Sequence, residues 1–190
     1  MIQRSVVAAA VILSLSGASA LAQMPGKRRE VLAPVPADAV SPDAIVAALY
    51  ACVSHAPDAA PDFERMRGIF LPVGMLIPPK RPNEDIFTTL DVDQFADRFK
   101  RANAARKEKA EPTGFNEREL SRRTDCFGNV CQIFSTYESK NAASDEKPFQ
   151  RGINSIQIVK DGRRWWIASV IWDVERADNP IPAHYLTPGK

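Results

Sequence analysis

The sequence predicts an α+β domain in which N-terminal helices pack against an antiparallel sheet. Three observations predict it. Between Ser41 and Ala110 apolar residues recur at three- and four-residue spacing, the period of a helix with one buried face. From "GFNEREL" at residue 114 onward the apolar residues alternate, the period of a strand. Two glycine-containing pairs, Gly128-Asn129 and Asp161-Gly162, interrupt the alternating runs where two-residue hairpin turns fit. Helices followed by hairpins, rather than alternating with strands, is the α+β order.

The elements follow from the N-terminus. Arg4, the apolar run Val6 to Leu15 and the small residues of "SGASALAQ" make residues 1–22 a secretory signal peptide, with cleavage expected before Gln23. The apolar run is too short to span a bilayer, and no cysteine follows it to carry a lipid anchor. The remaining chain is therefore expected to be periplasmic or secreted, where disulfides persist, with no membrane anchor after cleavage. Residues 23–40, rich in Pro and Ala with a small basic cluster, read as a flexible lead-in. Residues 41–187 then form one domain.

In "SPDAIVAALYACVSH" Ser41 is placed to cap a helix, Pro42 suits its first turn and Asp43 its positive end. Ile45, Leu49, Cys52 and Val53 make its apolar stripe, and Pro57 stops it. Phe63, Met66 and Phe70 predict a second, short helix; "LPVGMLIPPKRP" then reads as an edge strand or extended loop. A third helix starts at Asp91, where "DVDQ" resembles a capping box, and presents Val92, Phe95, Phe99 and Ala102 on one side. Its basic far end suits the negative helix pole and reads as a solvated surface.

In the first hairpin a Gly128-Asn129 turn sets Phe127 opposite Val130, Cys126 opposite Cys131, Thr124 opposite Ile133 and Leu120 opposite Tyr137. Cys126 and Cys131 then form a non-hydrogen-bonded pair with close α-carbons, which predicts a cross-strand disulfide. In the second, an Asp161-Gly162 turn pairs Ile158 with Trp165, Ile156 with Ile167 and Asn154 with Ser169. The last strand, "WWIASVIWDVE", is apolar on both faces, so helices covering one face leave the other for a second subunit.

Composition excludes several function classes. Without residues 1–22 the chain carries 24 basic and 23 acidic residues, which argues against a dedicated nucleic-acid binder. No Gly-rich phosphate loop, Ser-His-Asp order or redox C-x-x-C is present, so no cofactor is expected. A zinc site joining Cys52 and His55 to the hairpin cysteines would need two thiols to stay reduced after export, and no metal is expected.

The stretches "FERMRGIF", "DRFKRA", "CFGNVCQIFSTYES", "RGINSIQIVKDGRRWWIASVIWDVE" and "NPIPAHYL" resemble secreted bacterial members of the nuclear transport factor 2-like superfamily, which includes ketosteroid isomerase and SnoaL-like cyclases. The resemblance covers residues 40 to 187. It implies a curved sheet wrapped around helices into a cone, a cystatin-like roll, with an apolar pocket at its wide end and often a dimer through the outer sheet face. It does not imply a reaction, since that superfamily mixes enzymes, binders and interaction modules.

By the same resemblance, Trp165, Ile167, Ser169, Ile171 and Asp173 point into the cone, beside Asn154, Ile156 and Ile158. The expected function is an exported module that binds a small hydrophobic molecule against Tyr137, Asn154, Trp165 and Ser169. One alternative is an isomerase-like or cyclase-like enzyme whose candidate base is Asp173. Another is a ligand-free homodimer joined through Trp166, Val170 and Trp172 on the outer face.

Overall fold

The computed structural model describes residues 36–80 and 84–187. The expected signal peptide and residues 23–35 of the lead-in lie outside the described residues. A 3-10 turn at Pro36–Ala39 leads into α1 (Pro42–Val53), α2 (Phe63–Ile69), β1 (Phe70–Ile77) and α3 (Val92–Glu108). The strands β2 (Asn116–Phe127), β3 (Val130–Lys140), β4 (Gln150–Asp161) and β5 (Arg164–Val174) follow. They form one curved sheet in the order β1-β5-β4-β3-β2, antiparallel except for the parallel pair β1–β5. The α+β expectation holds, with the helices on the concave face. No helix among the described residues is long and apolar enough to cross a membrane.

The helix signals act as read. Ser41 Oγ accepts from Ala44 N at 3.1 Å and Pro42 opens α1. Asp91 and Gln94 close a capping box on α3 at 2.8 and 2.9 Å. Helix α1 is buried on more than one stripe: Val46, Ala48 and Tyr50 join Ile45, Leu49 and Cys52, because the helix lies between the sheet and α2. The final residues of the lead-in are ordered, since Arg65 Nε and Nη2 each donate to the buried Asp38 at 2.7 Å. The core joins these helices to Ile133, Ile156, Ile158 and Ile167, all fully buried, each contributing about 1.5–3 kcal/mol.

Register is where the structure corrects the sequence. In the β2–β3 hairpin Gly128 takes φ 57° at the first turn position, and Phe127, Cys126 and Thr124 face Val130, Cys131 and Ile133 as expected. Further along, Glu119 rather than Leu120 faces Tyr137, and Ser121 faces Thr136. Leu120 is thus the extra residue of a β-bulge. In the β4–β5 hairpin Gly162, at φ 60°, takes the first rather than the second turn position, so Asp161 faces Arg164 and Ile158 faces Ile167. A bulge at Ala168 then sets Gln157 opposite Ser169, Ile156 opposite Val170 and Asn154 opposite Trp172.

Each bulge exchanges the two faces of its strand, because side chains alternate with period two. On β5, Trp165 and Ile167 point inward as expected, but beyond Ala168 the inward residues are Val170 and Trp172. Ser169, Ile171 and Asp173 therefore lie on the outer face, contrary to expectation. The expected outer patch of Trp166, Val170 and Trp172 is corrected for the same reason, since Val170 is core and Trp172 packs edge-on against Phe95 at 6.4 Å. Trp166 does face outward, but the Arg164 guanidinium covers its ring at 3.2 Å and its Nε1 donates to Asp161 at 2.6 Å. Part of the outer face is covered by the chain's own C-terminal segment. There the Ser121 and Thr136 hydroxyls donate to the Tyr185 carbonyl, and Tyr185 lies against Phe134.

Candidate functional site

Two adjoining cavities lie between α1, α3 and the inner face of the sheet. The inner one, about 230 Å³, is walled by Leu49, Leu76, Val170 and Trp172 and carries three polar side chains, Glu117, Gln150 and Asn154. The outer one, about 190 Å³, is walled by Pro61, Phe99 and Ala102, with Asn103 and Arg106 as its polar groups. Val53, Phe95 and Phe115 form walls of both.

The backbone around Glu117 is fixed by the end of α1. His55 N donates to the Phe115 carbonyl at 2.7 Å and Phe115 N returns a bond at 3.0 Å. Glu117 N donates to Ser54 Oγ at 3.0 Å. With the bulge at Leu120 beyond it, the start of β2 turns Phe115, Glu117 and Glu119 inward. The Glu117 carboxylate accepts from Ser139 Oγ at 3.0 Å and from the Asn154 side chain. Burial outweighs these bonds and pushes its pKa up to about 7.

Behind Asn154 runs a chain of hydrogen bonds. Asn154 Nδ2 donates to Tyr50 Oη at 3.2 Å, and Tyr50 Oη shares a proton with Ser135 Oγ at 2.6 Å. Ser135 Oγ donates to Glu119, which accepts from Arg122 Nε and Nη2 at 2.8 and 2.6 Å. Desolvation holds the Tyr50 hydroxyl well above the ordinary tyrosine range, so it stays protonated and serves as scaffold. The chain fixes the Asn154 amide at the cavity wall, where a buried polar network must be satisfied to be stable.

The expected ligand residues are scattered. Asn154 lines the inner cavity. Tyr137 lies behind it, fully buried in the core, accepting from Gln150 Nε2 at 3.0 Å and stacked close over Gly152. Trp165 is core, with Lys160 Nζ 5.9 Å from its ring centre, and Ser169 faces outward. Asp173 is not in the cavity: its oxygens accept from Arg176 Nη1 and Nη2 at 2.6 and 3.1 Å, and Arg176 holds its pKa below the usual range. Cys126 and Cys131 are joined by a disulfide with α-carbons 4.1 Å apart. Cys52 is buried, and desolvation pushes its thiol up to about 12, leaving it unreactive. Among the described residues no group of three or more His, Cys, Asp or Glu side chains is placed to hold a metal.

Sequence reasoning missed Glu117, Gln150 and Trp172. The available signal was Glu117's phase with Phe115, two residues apart in an alternating run. It was masked by carrying the hairpin register back to Leu120.

The arrangement is an apolar chamber with one carboxylate able to exchange a proton near neutrality, next to a fixed amide. Such a pair can hydrogen-bond a carbonyl or hydroxyl, and can donate or take a proton there.

No protein-family model and no curated protein matches the chain. Among solved structures it is similar to an NTF2-like protein of unknown function from Methylobacillus flagellatus KT, at 13% identity and TM-score 0.43, over 72% of this chain and 96% of that one. It is similar to another from Shewanella baltica OS155, at 13% identity and TM-score 0.39, over 61% and 80%. A third, from Silicibacter pomeroyi DSS-3, matches at 15% identity and TM-score 0.40, over 71% and 99%. At such identities function is left to the chain's own residues.

Proposed function

We propose that this protein is an exported small-molecule-binding module that seats a largely apolar ligand in the inner cavity, with one polar ligand group against Glu117 and Asn154. The observation that carries the reading is the placement of a desolvated carboxylate at an apolar cavity wall. A core built only for stability gains nothing from such a group, whose burial is unfavourable. Export is supported by the expected leader at residues 1–22 and by the disulfide.

The test uses the neutral probe N-phenyl-1-naphthylamine. One probe per chain is expected to bind, with enhanced fluorescence, and Val53→Trp, which fills the wall common to both cavities, should abolish it. An unbound probe, or one indifferent to Val53→Trp in a folded protein, would end the reading.

A second reading is supported by the Glu117 pKa near neutrality beside the Asn154 amide. In an isomerase-like or cyclase-like reaction Glu117 would move the proton, and Asn154, whose Nδ2 protons are engaged by Tyr50 Oη and Glu117, would orient the carboxylate. For a substrate that is turned over, Glu117→Gln should remove kcat while leaving KM within about threefold. The rate should follow a group with an apparent pKa near 7.

A further inference from the structure

We propose that the ligand is an amphipathic organic acid, whose apolar body fills the cavities and whose anionic group is held by Arg106 and Asn103 at the outer end. The inference rests on the ligand-binding reading above and adds the chemical class and orientation of the ligand.

Arg106 and Asn103 stand three residues apart on α3, one face of one helical turn, and both line the outer cavity while half-buried. Arg65, Arg67 and Arg122 are committed to carboxylates, to Asp38, Asp93 and Glu119, and Arg101 of α3 is exposed beside a different, more polar cavity with Thr88 and Leu90. Lys107, the residue after Arg106, is tied to Asp58 at 2.8 Å. Among the described residues no carboxylate pairs with Arg106. A half-buried arginine that lines an apolar cavity, with no carboxylate paired to it among the described residues, suits a planar anion with an apolar body.

The other end of the site excludes the same group. Glu117, whose charged form burial already disfavours, stands at the inner cavity wall and, once ionised, would repel an anion there. The two charges therefore set the direction of entry: acid group outward at Arg106, and neutral or hydroxyl-bearing end inward at Glu117.

A matched pair of probes tests this. 8-Anilinonaphthalene-1-sulfonate and N-phenyl-1-naphthylamine share an aromatic body and differ by one sulfonate. At fixed pH and ionic strength, Arg106→Gln should weaken the sulfonate probe about tenfold and the neutral probe less than about twofold. Arg106→Lys should fall between, and Arg101→Gln, which removes an exposed charge from the same helix, should change neither. If Arg106→Gln affects both probes equally or neither, or if Arg101→Gln weakens the sulfonate as much, the acid-ligand proposal is overturned while the pocket stands. If neither probe binds the wild type, or if Val53→Trp displaces neither, the pocket reading fails and the proposal fails with it.

Discussion

The turn end of the sheet and its cavity end are made from the same strands under different constraints. At the turn end the chain answers to local geometry: a Cβ added at Gly128 would meet nothing within 4 Å, and Phe127 and Val130 are 87% and 49% exposed. At the cavity end it answers to packing across the sheet. A Cβ at Gly152 would collide with the Asp173 carbonyl and lie 2.7 Å from Tyr137 Oη. Ser135, Ser139 and Asn154 are buried there as a bonded set. Between the ends sit the two bulges. Residues near a turn can thus be placed by counting from it, whereas residues at the site depend on where the count is interrupted.

Gly152→Ala gives the largest effect expected. Its neighbours are backbone and a packed ring, so the methyl can enter only by shifting strands; the loss should be about 3 kcal/mol in denaturant unfolding. A loss under about 1 kcal/mol would mean that the cavity end adapts as easily as the turn end, and the contrast would collapse.

Glu117→Gln comes next, and its signature lies in pH. An unfolded glutamate titrates near 4.5, whereas the folded group titrates at about 7. Below 4.5 both states hold the proton and Glu117 is neutral to stability. As pH rises from 4.5 to 7 the unfolded chain ionises first, so Glu117 progressively destabilises the fold, and above 7 the cost is constant. The shift corresponds to on the order of 2 kcal/mol after allowance for exposure to the cavity. Relative to wild type, the Gln variant should gain stability through this window, measured as the difference between paired unfolding curves. A difference that stays flat from pH 4.5 to 8 would remove Glu117 from the desolvated site.

How much was legible from the residues follows the same division. Caps at Ser41 and Asp91, the stop before Pro57 and the two turn glycines are local signals, and each marks an element boundary within a few residues. The disulfide was legible because Cys126 and Cys131 sit one step from the turn, before any bulge. Asn154 was placed on the inner face although its partner was not, because β4 carries no bulge and keeps Asn154 in phase with Ile156 and Ile158, while the error in its β5 partner grows from two residues at Ile158 to three beyond Ala168. Asp173 was misplaced because Ala168 exchanges faces, and Glu117 was overlooked because Leu120 does the same on β2. Neither bulge carries a glycine or proline to announce it. Each is fixed instead by what the strand must bury: Val170 and Trp172 against α1 and α3 on one side, Phe115 against the end of α1 on the other.

At the turn end, replacing Cys126 and Cys131 together by Ser should cost about 2 kcal/mol or less, because the closed loop is short. Gly128→Ala should cost about 1–2 kcal/mol, the penalty of a left-handed backbone with no clash added. Neither change should alter binding of either naphthalene probe. An affinity change above about threefold from the cysteine variant would show that the two ends are coupled.

The smallest effect belongs to Asp173→Asn. In sequence terms this residue shares the inward phase of Trp165 and Ile167, and without a bulge it would be the cavity's carboxylate. In the fold it is an exposed group held by Arg176 and by its own neighbour's amide, Val174 N, at 2.8 Å. Exposed pairs of this kind are worth under about 1 kcal/mol and weaken with salt. Its pKa is depressed, so what it contributes is present above the unfolded value and fades as pH falls through the folded one, opposite in sign to Glu117. Asp173→Asn should therefore leave probe binding unchanged at pH 7 and cost a few tenths of a kcal/mol, measured by paired unfolding curves at low and high salt. Weakened binding of the neutral probe would instead place Asp173 at the cavity and deny the face exchange at Ala168, on which the placement of Val170 and Trp172 in the cavity wall depends.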